Sequence, residues 1–165
     1  RNQLLENLSK IGIPIVITGS NNALDLSIKK EIPKAPNIFN FIGETSLEEY
    51  FVLSSLSMAY IGMDTLNMHI AASQDKRIFA IFGSTRLSAW APWSNYSKPS
   101  AKNDAPVQSY DNITIFQSSI TCSLCGIVGC GSNHGSNNFP LDIKPDRIYD
   151  EIYKWIDSPS NSSLI

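Results

Sequence analysis

The chain has 165 residues, 42% of them hydrophobic, and a formal net charge of −2 at neutral pH. That length and composition suit one compact domain with a real core, and the charge excludes a global basic field for nucleic acid or anionic membranes. No run approaches the roughly 18 apolar residues a bilayer span needs, and the opening "RNQLLENLSK" is not a signal peptide.

That opening stretch reads as a helix and carries no initiator Met, so the chain reads as part of a longer protein. Five short runs rich in Ile, Val and Phe follow at 13–18, 37–43, 57–62, 77–83 and 112–117. Most lack polar alternation, as strands buried on both faces do. Helical patterns lie between the first four. In "NNALDLSIKKEI", Leu24, Ile28 and Ile32 recur at four-residue spacing; "SLEEYFVLSS" opens with Ser46 and carries Glu49 three residues on, a capping box. "DTLNMHIAAS" is the third. Strands alternating with helices at this spacing predict an α/β fold: an open Rossmann-like parallel sheet with helices on both faces and right-handed crossovers.

After Gly83 the regularity breaks, and a stretch holding Pro92, Pro99 and Pro106 predicts one long loop. Within it, Trp90, Trp93 and Tyr96 would pack the loop onto the domain, or else offer a sugar or acceptor platform near a cleft. "KPDRIYDEIYKWIDS" starts a helix at Pro145, with Ile148, Ile152, Tyr153 and Ile156 on one stripe. The expected organisation is one nucleotide-binding domain over 1–157 and a disordered tail over 158–165.

Three cysteines, all between Cys122 and Cys130, argue against a disulfide framework and for a cytosolic setting. With His134 they offer four possible ligands of types that suit zinc, but beyond the C-x-x-C pair the spacing matches no standard zinc class. The reading adopted is reduced loop cysteines, with no metal and no cofactor.

Polar residues concentrate in "IGMDTLNMHIAAS", residues 61–73, where a strand gives way to a helix. In open α/β sheets ligands bind beyond the carboxyl ends of the strands. Asp64 is a natural N-cap for a helix starting near Thr65. The backbone N–H groups of Thr65, Leu66 and Asn67 would then face outward with the positive helix end, an anion site. Thr65 and His69 lie four apart, on one face. The bland alternative is a helix cap beside a satisfied buried histidine.

"IGMDTLNMHIAASQDKRIFAIFGST", with "FIGETSLEEYFVLSSLSMAYIG" before it, resembles the signature of glycosyltransferase family 9, the heptosyltransferases of lipopolysaccharide core synthesis. That signature is a strand, D-T-G-x-x-H, a small-residue helix, a second strand and F-G-x-T. The resemblance implies one half of a GT-B fold, the C-terminal domain that holds the nucleotide-sugar donor, usually an ADP-heptose. Carried over to matching positions, it puts the pyrophosphate against the backbone of Thr65, Leu66 and Asn67 with His69 nearby, and donor sugar hydroxyls on Asp64. Thr45 and Ser46 would line the adenine pocket, and the Gly19–Ser20 turn would border the ribose. Leu66 stands where the family carries glycine, which leaves its N–H but makes close approach to phosphate less free. Asn22 and Asp25 stand near, but not in, the register of the family's acidic ribose contact.

The implied reaction is transfer with inversion to a lipopolysaccharide core or other glycan acceptor, with the general base on the other domain and no catalytic residue in this one. Such a chain would bind donor but not turn it over alone. The implied setting is cytoplasmic, at the inner face of the inner membrane, with membrane association through the other domain and no nucleic-acid partner. Two other readings stay open: a stand-alone α/β nucleotide-binding or interaction module, and another GT-B-like sugar-nucleotide enzyme such as a 2-epimerase.

Overall fold

The computed structural model describes residues 1–83, 85–97, 101, 105–118 and 143–159. The elements in the first half are α1 (Asn2–Ser9), β1 (Ile15–Gly19), α2 (Ala23–Glu31), β2 (Ile38–Ile42), α3 (Leu47–Leu56) and β3 (Ala59–Met63). There follow α4 (Leu66–Ser73), β4 (Arg77–Phe82), α5 (Leu87–Trp90), β5 (Val107–Tyr110), β6 (Ile113–Gln117) and α6 (Pro145–Ile156). All five apolar runs became strands, joined by parallel pairings and intervening helices, so the α/β class read from the sequence holds. The residues form two compact units, one of Arg1–Tyr50 with the chain from Pro145 on, the other of Phe51–Lys144.

In the first unit β1 and β2 pair in parallel, from Ile15 opposite Ile38 to Gly19 opposite Ile42. Gly43 extends the ladder by donating its N–H to Gly19 O at 3.0 Å. It does so at φ +73°, where a side chain would be strained and a Cβ would stand 3.0 Å from Leu26. Asn22 caps α2, its side chain accepting from the Asp25 N–H at 2.8 Å. Leu4 and Leu8 of α1 and Ile148, Ile152 and Ile156 of α6 are buried, the isoleucines four apart on one stripe. Tyr153 leaves that expected stripe: it is exposed and stacks on Tyr149, ring centroids 5.9 Å apart. Gln3 and Asn7 of α1 donate to the Asp146 carboxylate in the first turn of α6.

The capping box at α3 forms as its spacing predicts. Ser46 N–H donates to the Glu49 carboxylate at 2.8 Å, and Glu49 N–H donates to Ser46 Oγ at 3.2 Å. Ser46→Ala is expected to cost about 1 kcal/mol of stability, read from thermal unfolding, and Ser46→Asp to restore most of it.

In the second unit the strand order is β3-β4-β6-β5, parallel except for the antiparallel β5–β6 pair. Ile78, Ala80 and Phe82 of β4 and Ile113 and Ile115 of β6 form one buried face with Met68, Ala71 and Ala72 of α4. The small alanines let the helix lie close on the sheet.

The stretch expected to be one long loop holds α5 and β5. "VQSY" is too short to show a period by itself. It becomes a strand by pairing back on β6 through the Asp111–Asn112 turn, with Asp111 at φ 48° and Ser109 Oγ 2.8 Å from Thr114 Oγ1. The aromatic residues depart from the packing reading made of them. Trp90, Trp93 and Tyr96 are 54%, 58% and 71% exposed, so they do not pack the loop down. Buried Pro92 and Ser94 do that instead. Pro92 O accepts from the Tyr110 hydroxyl at 2.6 Å, and Ser94 Oγ donates to Asp111 at 2.7 Å. These anchors precede β6, at the edge of the sheet opposite the carboxyl ends of the parallel strands.

Cys122, Cys125, Cys130 and His134 lie outside the described residues, as does most of the predicted tail. Among the described residues, no helix is long and apolar enough to cross a membrane.

Candidate functional site

Polar side chains converge in the second unit, where β3 runs out at its carboxyl end. Asp64 N–H donates to Ile81 O at 3.3 Å, which keeps residue 64 extended on the β3–β4 ladder. The helix therefore begins one residue later than expected. Thr65, at φ −146° and ψ 170°, is the N-cap of α4, and its carbonyl accepts from Met68 N–H at 3.0 Å and His69 N–H at 3.4 Å. The Asp64 cap inferred from the sequence is thus corrected: Thr65 is the N-cap, and its side chain makes no bond to the helix. Its first N–H groups, that of Leu66 at the start, have no carbonyl one turn back.

The Asp64 carboxylate turns instead toward the segment after β4, where it takes a hydrogen bond from the Thr85 side chain. His69 Nε2 stands 3.9 Å from Asp64 Oδ1, too far for a hydrogen bond. The Asp64 side chain is 12% exposed and that of His69 37%. Burial pushes the Asp64 carboxyl above its usual range, with the Thr85 bond and the charge interaction with His69 opposing the rise. His69 is half-buried in the first turns, so it is not the fully buried histidine of the bland alternative.

The glycine of this segment has a steric reason. Tyr60 and Gly62 point to the same face of β3, and a Cβ on Gly62 would stand 2.5 Å from the Tyr60 hydroxyl oxygen and 2.8 Å from its ring carbon. The tyrosine ring occupies that space, and its hydroxyl donates to Met63 O at 2.8 Å, with Thr65 Oγ1 at 3.3 Å. Leu66 is 59% exposed and helical, so the backbone at this position does not demand glycine.

Five expected residues, Asp64, Thr65, Leu66, Asn67 and His69, thus come together at one helix end. The other four belong to the first unit. Gly19 ends β1; Ser20 donates its N–H and hydroxyl to Asp25 Oδ2 at 2.8 and 2.7 Å, closing the turn into α2. Thr45 is half-buried, and Ser46 serves the capping box. Asp25, weighed as a ribose contact, spends one carboxylate oxygen on that turn.

Thr85 and Tyr60 went unread in the sequence. Thr85 is the last residue of the F-G-x-T pattern, which signalled it without suggesting a role. Tyr60 had only its two-residue spacing from Gly62. Chemically, a helix start, a hydroxyl and an imidazole favour an anion, and a nearly buried carboxylate favours neutral hydroxyl donors.

The family profile described as glycosyltransferase family 9 (heptosyltransferase) matches residues 2–113. Lipopolysaccharide heptosyltransferase 3 of Escherichia coli is 28% identical over 95 residues, which make up 56% of this chain and 28% of that protein. Its counterpart of the same name in strain K12 has the same identity and coverage. The match therefore spans 28% of the length of these curated relatives. The solved structure of E. coli ADP-heptose lps heptosyltransferase II superposes with a TM-score of 0.63 at 20% identity, over 92% of this chain and 39% of that one. That is a likeness of fold.

Proposed function

This chain belongs to glycosyltransferase family 9, the heptosyltransferases, and on that premise we propose that it is the donor-binding half of a GT-B glycosyltransferase. The donor is a nucleoside diphosphate sugar, ADP-heptose or a close analogue, and the acceptor a lipopolysaccharide core or other glycan. The carrying observation is the pairing, at one strand end, of a helix start whose N-cap residue makes no side-chain bond to it and a nearly buried carboxylate held by Thr85. The diphosphate lies against the Leu66 N–H, Thr65 and His69, and Asp64 accepts from sugar hydroxyls.

In the transfer step an acceptor hydroxyl attacks the anomeric carbon, the bond from that carbon to the diphosphate oxygen breaks, and the hydroxyl proton passes to a carboxylate of the other half. Configuration inverts. The helix end and His69 stabilise charge gathering on the leaving diphosphate. Asp64 sets the sugar, and this half alone binds without turning over.

Calorimetry with ADP, UDP, GDP and CDP tests the reading: ADP binds this chain, weakly, and above the others. His69→Ala lowers ADP affinity by about 10–150-fold, the equivalent of ~1.5–3 kcal/mol for a bond to a charged group, with the melting temperature nearly unchanged. No binding of any nucleotide at millimolar concentration to folded protein would remove the donor-domain assignment.

A further inference from the structure

We propose that Tyr60 is a positioning residue for the diphosphate end of the site, acting through the space Gly62 leaves open. This rests on the donor-binding reading above. The turn from Met63 to Thr65 must leave the β3–β4 ladder and enter α4 within two residues, and Thr65 ends with no side-chain bond to the helix it caps. What ties the turn down lies outside the helix. The Tyr60 ring runs along β3 past Gly62, and its hydroxyl reaches the last strand residue, donating to Met63 O at 2.8 Å. Thr65 Oγ1 lies 3.3 Å from the same hydroxyl.

The proton count gives the contact a direction. Tyr60 has one hydroxyl hydrogen, and it goes to the Met63 carbonyl. The phenolic oxygen can then only accept from Thr65. At 3.3 Å that second bond is at the weak end, so a phosphate oxygen can take the Thr65 hydrogen while the Tyr60–Met63 bond stays intact. Tyr60 thereby holds the turn and leaves Thr65 able to rotate to a ligand. Gly62 is required because no other residue at that position allows the ring this path: the Cβ would collide with the hydroxyl itself.

Tyr60→Phe keeps the ring and removes only the hydroxyl. The affinity for ADP, followed by NMR titration of this chain, should fall about 2–10-fold, the weight of one hydrogen bond. The affinity for adenosine, which lacks the diphosphate, should not change. Gly62→Ala should reproduce the ADP-selective loss by displacing the ring. Equal ADP affinity in wild type and Tyr60→Phe would overturn the positioning role and leave the donor reading standing, as would an equal loss for adenosine. A wild-type chain that binds no ADP would instead bring down the donor reading, and this inference with it.

Discussion

Asp64→Asn is expected to raise the melting temperature at pH 7 while removing the advantage of ADP-heptose over ADP in binding. The stability part follows from burial. The folded chain holds the Asp64 carboxyl above its usual value of 3.8, mainly by desolvation. Because the folded state then binds that proton more tightly than the unfolded one, the group's favourable contribution is full below the ordinary carboxylate value. It is lost as the pH rises through the raised value. At pH 7 the ionised group costs stability; asparagine removes the cost and can still accept from Thr85. It also surrenders no cap, since Asp64 does not cap α4. The gain should shrink as the pH is lowered toward 4. The binding part follows from charge: hydrogen bonds to an ionised acceptor contribute ~1.5–3 kcal/mol. ADP-heptose should therefore weaken about 10–150-fold with ADP affinity kept. A lower melting temperature at pH 7, with both affinities unchanged, would contradict both assignments.

Phe82→Ala is expected to destabilise the fold by about 3–5 kcal/mol, a large share of a domain's total stability. Phe82 is fully buried at the end of β4, in the cluster that joins α4, α5, β4 and β6. Truncation there loses both transfer free energy and contacts across the cavity left behind. Urea unfolding with an unchanged slope would read this as a stability loss alone. Leu66→Ala, at a solvent-facing position next to the site, should stay within about 0.5 kcal/mol. A loss below about 1 kcal/mol for Phe82→Ala would mean that α4 does not rest on this face of the sheet.

The two variants separate what holds the site from what the site does. Phe82 keeps α4 on the sheet and is not among the residues expected to meet a ligand. Asp64 does the reverse, a carboxylate kept nearly buried against its own ionisation. A carboxylate whose ionisation the fold opposes, standing where a parallel strand ends, supports the proposed binding role.

Much of this was legible in the chain alone, and for local reasons. Strand-length apolar runs, the Ser46–Glu49 capping box and the four-residue spacing of Ile148, Ile152 and Ile156 depend on contacts within a few residues, which periodicity reports. The motif from Asp64 to His69 is also local, so its residues came together as read. The rest was decided by partners distant in sequence. Asp64 lost its cap because Ile81 O holds its N–H on the ladder, and its carboxylate found Thr85 instead. "VQSY" became a strand only because β6 lay beside it. Trp93 and Tyr96 were left exposed because Tyr110 and Asp111 anchor Pro92 and Ser94 instead. Gly62 could be seen in the sequence, but its reason, a tyrosine ring lying where its side chain would be, exists only once β3 is pleated and its end has turned into α4.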